Sequence, residues 1–209
     1  ATPNVSLTAD TGVDDDANVT TNANLDIVDP AADITRTFKI NDADATSTYT
    51  SEHGNATVFA AIDHHTGECV GIHAAIIGNR FEALEPIRQG IKEHFGSYQK
   101  KSANSLVLRH DHGSQYMSKH FQKEIEFLGA ISSPSFVRQP EGNGVIERFF
   151  RTLKEQLLWI KHFKTVDELA DALHEFKHRY NHHWIMQRHG YRTPKQVRDE
   201  WKTDMIKAA

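Results

Sequence analysis

Three carboxylates stand where a chain could use them. Asp44 lies in the alternating, Thr-rich stretch "INDADATSTYT". Asp111 follows the apolar run "SLVLRH". Glu147 opens "VIERFFRTLKEQL", directly after the glycine-bracketed loop "QPEGNG". Carboxylates from separate elements converge only if the fold brings them together, and two or three side by side repel one another. A hard divalent cation removes that repulsion. Magnesium takes oxygen ligands and keeps waters and phosphate oxygens in its shell. Two such ions ~4 Å apart can activate a water or hydroxyl and stabilise the leaving oxygen of a phosphodiester. Glu147 also has a plainer reading. Acids suit a helix N-terminus and bases suit the turns after it, and Arg151 and Lys154 follow Glu147 at i+4 and i+7.

The elements that would carry these residues follow from pattern. Residues 1 to about 36 are rich in Ala, Thr, Asn and Asp, without a hydrophobic period, and read as a disordered acidic tail. Asp14-Asp15-Asp16 lacks the glycine and closing glutamate of a calcium loop. From residue 37 the texture changes. "TFKINDADATSTYT", "ATVFAAID" and "CVGIHAAII" read as three strands of an antiparallel meander, with turns at "SEHGN" and "HHTGE". "NRFEALEPIRQGIKEHFG" reads as a helix ended by Gly96, with Pro86 kinking it or marking a later start. A strand at "SLVLRHD", a helix at "SKHFQKEIEFLG" and a strand at "AISSPS" come next. The Glu147 helix follows, with apolar residues at Ile146, Phe150, Leu153 and Leu157. "TVDELADALHEFKHRYNHHW" begins with a capping box, Thr165 and Glu168. "TPKQVRDEW" has Thr193 as cap and Pro194 at its first position. The order predicts a mixed α/β layer with helices on both faces of a sheet.

At this point a family resemblance becomes specific. The chain resembles the catalytic core of the retroviral-integrase superfamily, and most closely bacterial insertion-sequence transposases. The matching pieces are "DATSTYT", "VFAAIDHHTGECVGIHA", "LRHDHGSQYMS" and "PEGNGVIERFFRTLKEQL", and "YNHHW…RHGYRTP" is similar to the family's C-terminal end. The thirty-five residues 112–146 separate Asp111 from Glu147, the gap of the family's Asp-Asp-35-Glu pattern. The resemblance covers roughly residues 41–200. It implies a ribonuclease-H-like fold with a mixed five-stranded sheet, in a core of residues 37–209. It also implies two-metal DNA cleavage and strand transfer between transposon ends and target. Asp44, Asp111 and Glu147 would bind magnesium, or manganese in its place. Asn143, Arg151 and Lys154 would touch DNA, and the chain would assemble as a homo-oligomer on it. The chain departs from the pattern in three places. Asn41 stands where a tryptophan is common, which leaves Asp42 as an alternative first ligand. The tail shows neither a helix-turn-helix nor a zinc module. His182-His183-Trp184 stands where arginine is frequent. Two other functions stay open: a related nuclease that only hydrolyses, and an inactive DNA-binding or assembly module.

Composition bounds these readings. The formal charge is -4, and the chain is 38% hydrophobic. Residues 1–40 carry seven Asp against Arg36 and Lys39, so residues 41–209 are nearly neutral on balance. DNA affinity would come from a local patch. No stretch approaches ~18 consecutive apolar residues, so no membrane partner is expected. A single cysteine, Cys69, suits the reducing cytoplasm. None of the fourteen histidines falls in a zinc spacing. Asp63, in "AIDHHTG", also matches the family, but an Asp opening a tight turn reads as structural.

Overall fold

The computed structural model describes residues 37–40, 46–134 and 144–208. Six strands form one sheet: β1 (Thr37–Ile40), β2 (Thr46–Thr50), β3 (Gly54–Asp63), β4 (Cys69–Ala75), β5 (Val107–His110) and β6 (Ile131–Pro134). The order is β2-β3-β1-β5-β6, with β4 also paired to β3. β3 pairs antiparallel with β1, β2 and β4, while β5 runs parallel to both β1 and β6. The expected meander is present. Six strands are described where five are expected, since both β1 and β2 fall within the stretch expected as the first strand. β1 pairs with Ala61, Ile62 and Asp63 of β3, and β2 pairs with residues from Gly54 to Val58. Asp44 and its alternative Asp42 fall between these two strands, outside the described residues, as do the acidic tail and Asn143.

Five helices are described: α1 (Glu85–Phe95), α2 (Lys119–Leu128), α3 (Gly144–Leu153), α4 (Val166–His183) and α5 (Pro194–Ala208). Short-range chemistry sets their ends. Pro86 sits in the first turn of α1, so the helix starts there after a 3-10 turn, and Gly96 closes it at φ +80°. The Ser118 hydroxyl caps α2, and Gly129 ends it. Thr165 Oγ1 accepts from the Glu168 N–H at 3.0 Å to start α4. Thr193 and Gln196 bond reciprocally to start α5. None of these helices is long and apolar enough to cross a membrane.

Alternation along β3 divides the core in two. Ala56, Val58, Ala60 and Ile62 face one cluster, built with α3 and α4. Phe59 and Ala61 face the other, built with α1 and α2. Helices thus cover both faces of the sheet. α1 comes so close to β4 that a Cβ at Gly71 would lie 1.9 Å from the Pro86 carbonyl oxygen. Gly71 is the residue that lets helix and strand meet.

Side chains hold the free side of β4. The Gln89 amide accepts from Ile72 N–H and donates to Ile72 C=O, both at 3.0 Å. The Asn181 amide does the same for Cys69, both at 2.9 Å, and Lys177 Nζ donates to the Val70 carbonyl. A buried ionic group ties α5 to this edge. Arg198 donates to Glu68 at 2.8 Å and to Glu93 at 2.9 Å, and Glu68 lies 3.7 Å from the His94 ring. Burial pushes the Glu68 carboxyl up, with Arg198 only partly opposing it. Burial would also raise Glu93, but Lys177 and Arg198 together hold it below its usual value.

Candidate active site

The parallel pair β1–β5 decides where Asp111 stands. β5 is fully buried, and Asp111 is the first residue past its carboxyl end. Ligands of open α/β sheets commonly collect at that end. Asp111 is 6% exposed. Its Oδ1 accepts from the Gly113 N–H at 2.8 Å, and a Cβ at Gly113 would lie 2.9 Å from that oxygen. The turn therefore needs glycine there to leave the carboxylate in place. The chain then folds back: Tyr116 and Met117 N–H groups both bond to the Gly113 carbonyl, and Tyr116 is fully buried. His110 spans the floor. Its Nδ1 lies 2.6 Å from the Asp111 carbonyl and its Nε2 2.9 Å from Ser132 Oγ on β6. Burial holds the His110 ring below its usual pKa, which keeps it neutral near pH 7.

Glu147 sits in the first turn of α3 and is exposed. The helix is placed by its other side, where Ile146, Phe149, Phe150 and Leu153 are buried in the core. Each such side chain contributes about 1.5–3 kcal/mol by leaving water. Four anchors in ten residues therefore fix which face is left outside. That face carries Glu147 and Arg151, and Lys154, partly exposed, follows where the chain enters a π-helical turn, Lys154–Leu158. The i+4 spacing of Glu147 and Arg151 thus holds. Beyond Lys154 the wider turn shifts the register, and Trp159 N–H bonds to the Lys154 carbonyl at 3.0 Å.

The oxygen-only donors Asp111 and Glu147 suit a hard cation such as magnesium. A different group of metal-capable side chains is Glu68, Glu93 and His94, whose ligand atoms lie within 4.8 Å of one another. Arg198 already bonds to both of its carboxylates, so this group reads as a structural ion network. Asp63 is buried, and its Oδ1 accepts from the His65 N–H at 3.0 Å, a turn-forming role as expected. Pattern reading missed Asn181, whose amide partners a strand 112 residues away. It also read Trp184 only as a departure from arginine. Trp184 lines a cleft with Arg148 and Arg188. Only the helical spacing of Phe176, Tyr180 and Trp184 could have signalled it.

Residues 132–194 match the family described as integrase core domain. That segment contains Glu147, Arg151 and Lys154. The chain is 35% identical over 75 residues to the transposase for insertion sequence element IS904 of Lactococcus lactis, covering 36% of this chain and 30% of that one. It is 32% identical over 94 residues to the putative transposase InsK for insertion sequence element IS150 of Escherichia coli, covering 45% and 33%. The matched part is thus about a third of the length of these curated relatives. Among solved structures, the catalytic core domain of BIV integrase superposes with a TM-score of 0.56 at 17% identity, covering 82% of this chain and 99% of that one. The HTLV-2 integrase catalytic core domain in complex with magnesium gives 0.56 at 16% identity, covering 78% and 95%. The chain has the fold of retroviral integrase catalytic cores, and its resemblance to the integrase superfamily and to insertion-sequence transposases holds.

Proposed function

We propose that this chain is a transposase catalytic core that cuts and joins DNA with magnesium. The observation that carries the proposal is Asp111. It is a nearly buried carboxylate at the carboxyl end of a parallel strand in an integrase-core fold, thirty-five residues before an exposed glutamate in a helix's first turn. Asp111 and Glu147, with Asp44 or Asp42 as the third carboxylate, would hold the ions. When bound, a magnesium pair activates the attacking oxygen and stabilises the leaving one.

The chain's own residues do the rest by position and charge. Gly113 N–H fixes one Asp111 oxygen, which keeps the other end of the carboxylate aimed from a rigid turn. Arg151 and Lys154 lie one and two turns beyond Glu147, about 6 and 10 Å along the helix. Contacts from them to phosphates would align the strand without reading sequence. Asn143, just before α3, would touch the same backbone. The acidic tail of residues 1–36 lies outside this catalytic unit in our reading, and the cytoplasm is its compartment. Cleaving and joining two transposon ends calls for more than one copy, so a homo-oligomer would assemble on DNA.

Asp111→Asn tests the assignment. An amide keeps the oxygen that Gly113 bonds and removes the charge. The variant should lose magnesium-dependent cleavage of a labelled transposon-end duplex and keep or raise its melting temperature. Cleavage near the wild-type rate would refute the role of Asp111. Wild-type protein that gives nicked product but no joined product would leave hydrolysis alone as its activity.

A further inference from the structure

The aromatic rings of α4 form a ladder. Phe176 and Tyr180 are 5.9 Å apart at 23°, and Tyr180 and Trp184 are 6.3 Å apart at 22°. Exposure rises along it, from 2% to 6% to 38%. The ladder starts in the core and ends at Trp184, on the wall of a cleft of about 620 Å³. Arg148 and Thr152 of α3, together with Arg188 and Gly67, line it as well. Among the described residues the lining holds two arginines and no carboxylate. Burial pushes the Tyr180 hydroxyl up while the charges of Arg188 and Arg148 pull against it, so both guanidinium groups bear on one spot. Arg188 is seated rather than loose. Its Nη2 donates to the His64 carbonyl at 3.3 Å, and a Cβ at Gly67, which has φ +71°, would lie 2.8 Å from that nitrogen.

A planar anion suits this cleft: a π-face extends the ladder, and its charge meets the two arginines. The volume is in the range of small-ligand sites. Arg148 directly follows Glu147, so one cleft residue and the proposed metal ligand both come from the first turns of α3. We propose that the cleft takes an unpaired nucleotide of the DNA strand being processed, with its base on Trp184 and its phosphate between Arg148 and Arg188. This rests on the DNA-processing reading above. Every base has a π-face, so the site is sequence-tolerant. Its role is to hold an unpaired end of that strand.

The test uses the full chain and fluorescence anisotropy, with a duplex bearing an unpaired thymidine tail against the same duplex blunt. Wild type should prefer the tailed duplex. Trp184→Leu should weaken tailed binding about tenfold, the size of one base–aromatic stack, and leave blunt binding unchanged. Trp184→Phe should keep most of the preference. Arg148→Ala, at an exposed helix position that carries no core, should lower the salt slope for the tail by about 0.7. Equal wild-type affinity for both duplexes overturns the proposal. So does a tail preference that survives both Trp184→Leu and Arg148→Ala. Magnesium-dependent cleavage of the same duplexes separates the two readings. Cleavage without a tail preference refutes the cleft and leaves the proposed function. A Trp184-dependent preference without cleavage supports the cleft and refutes the catalytic assignment.

Discussion

Arg198→Ala removes the one guanidinium that bridges Glu68 and Glu93. The Arg198 side chain is 6% exposed and that of Glu68 is 2%, so solvent screens their pairing little. Glu93 is 42% exposed, and its share is small. Breaking a buried pair from one side costs about 3–5 kcal/mol, because the remaining charge stays buried. At about 2–4 °C per kcal/mol for a chain of this size, the melting temperature should fall by roughly 6–20 °C at neutral pH. The loss should depend on pH with a definite sign. Burial already holds the Glu68 carboxyl above its usual value of 4.5, and removing Arg198 raises it further. A carboxyl raised in the folded state destabilises above its folded pKa and regains that stability as pH falls toward the unfolded value. The deficit should therefore shrink between about pH 7.5 and about pH 5. Circular-dichroism melts of wild type and variant at both ends of that window measure it. A double variant, Glu68→Gln with Arg198→Met, should sit within about 1–2 kcal/mol of wild type, since neither charge is left alone. An equal drop at both pH values, or no drop at neutral pH, would refute the argument that a stranded Glu68 charge is the cause.

The double variant Arg151→Ala, Lys154→Ala should fold normally and bind duplex DNA more weakly across all sequences, with a salt slope lower by about two, measured by anisotropy over a salt series. An unchanged slope would return α3 to a solvated helix face. Gly71→Ala should destabilise by at least about 1–3 kcal/mol, since its methyl meets the Pro86 backbone and not a movable side chain. A melt within about a degree of wild type would show that α1 can shift away from β4 at little cost.

Local chemistry was legible in the sequence. Thr165 with Glu168, Ser118, Gly96, Gly129 and Pro86 act within a few residues of themselves, so their spacing alone sets the helix ends. The place of Asp111, in a turn just past the end of β5, was legible because a charge ends an apolar run shortly before a glycine. Chain-distant chemistry was not. Glu68 and Arg198 are 130 residues apart, and nothing in either neighbourhood names the other. A register change along the first stretch was hidden as well, because "TFKINDADATSTYT" alternates throughout, while Ile40 pairs with Ala61 and Thr46 with Val58, out of step by three residues. The Trp184 cleft depends on α3, α4 and the β3–β4 turn meeting, which only packing decides.

The amides of Gln89 and Asn181 have a consequence for how copies of the chain meet. An outer strand with bare backbone groups is a template for another chain, and sheets extend from such edges into fibres. On β4 those groups at Ile72 and Cys69 are already answered, donor and acceptor together, by side chains rooted in two helices. The helices thus imitate a seventh strand that has nothing beyond it to propagate. At these two residues β4 offers another chain neither a donor nor an acceptor, so edge-to-edge growth from this side of the sheet is opposed without the cost of a further strand.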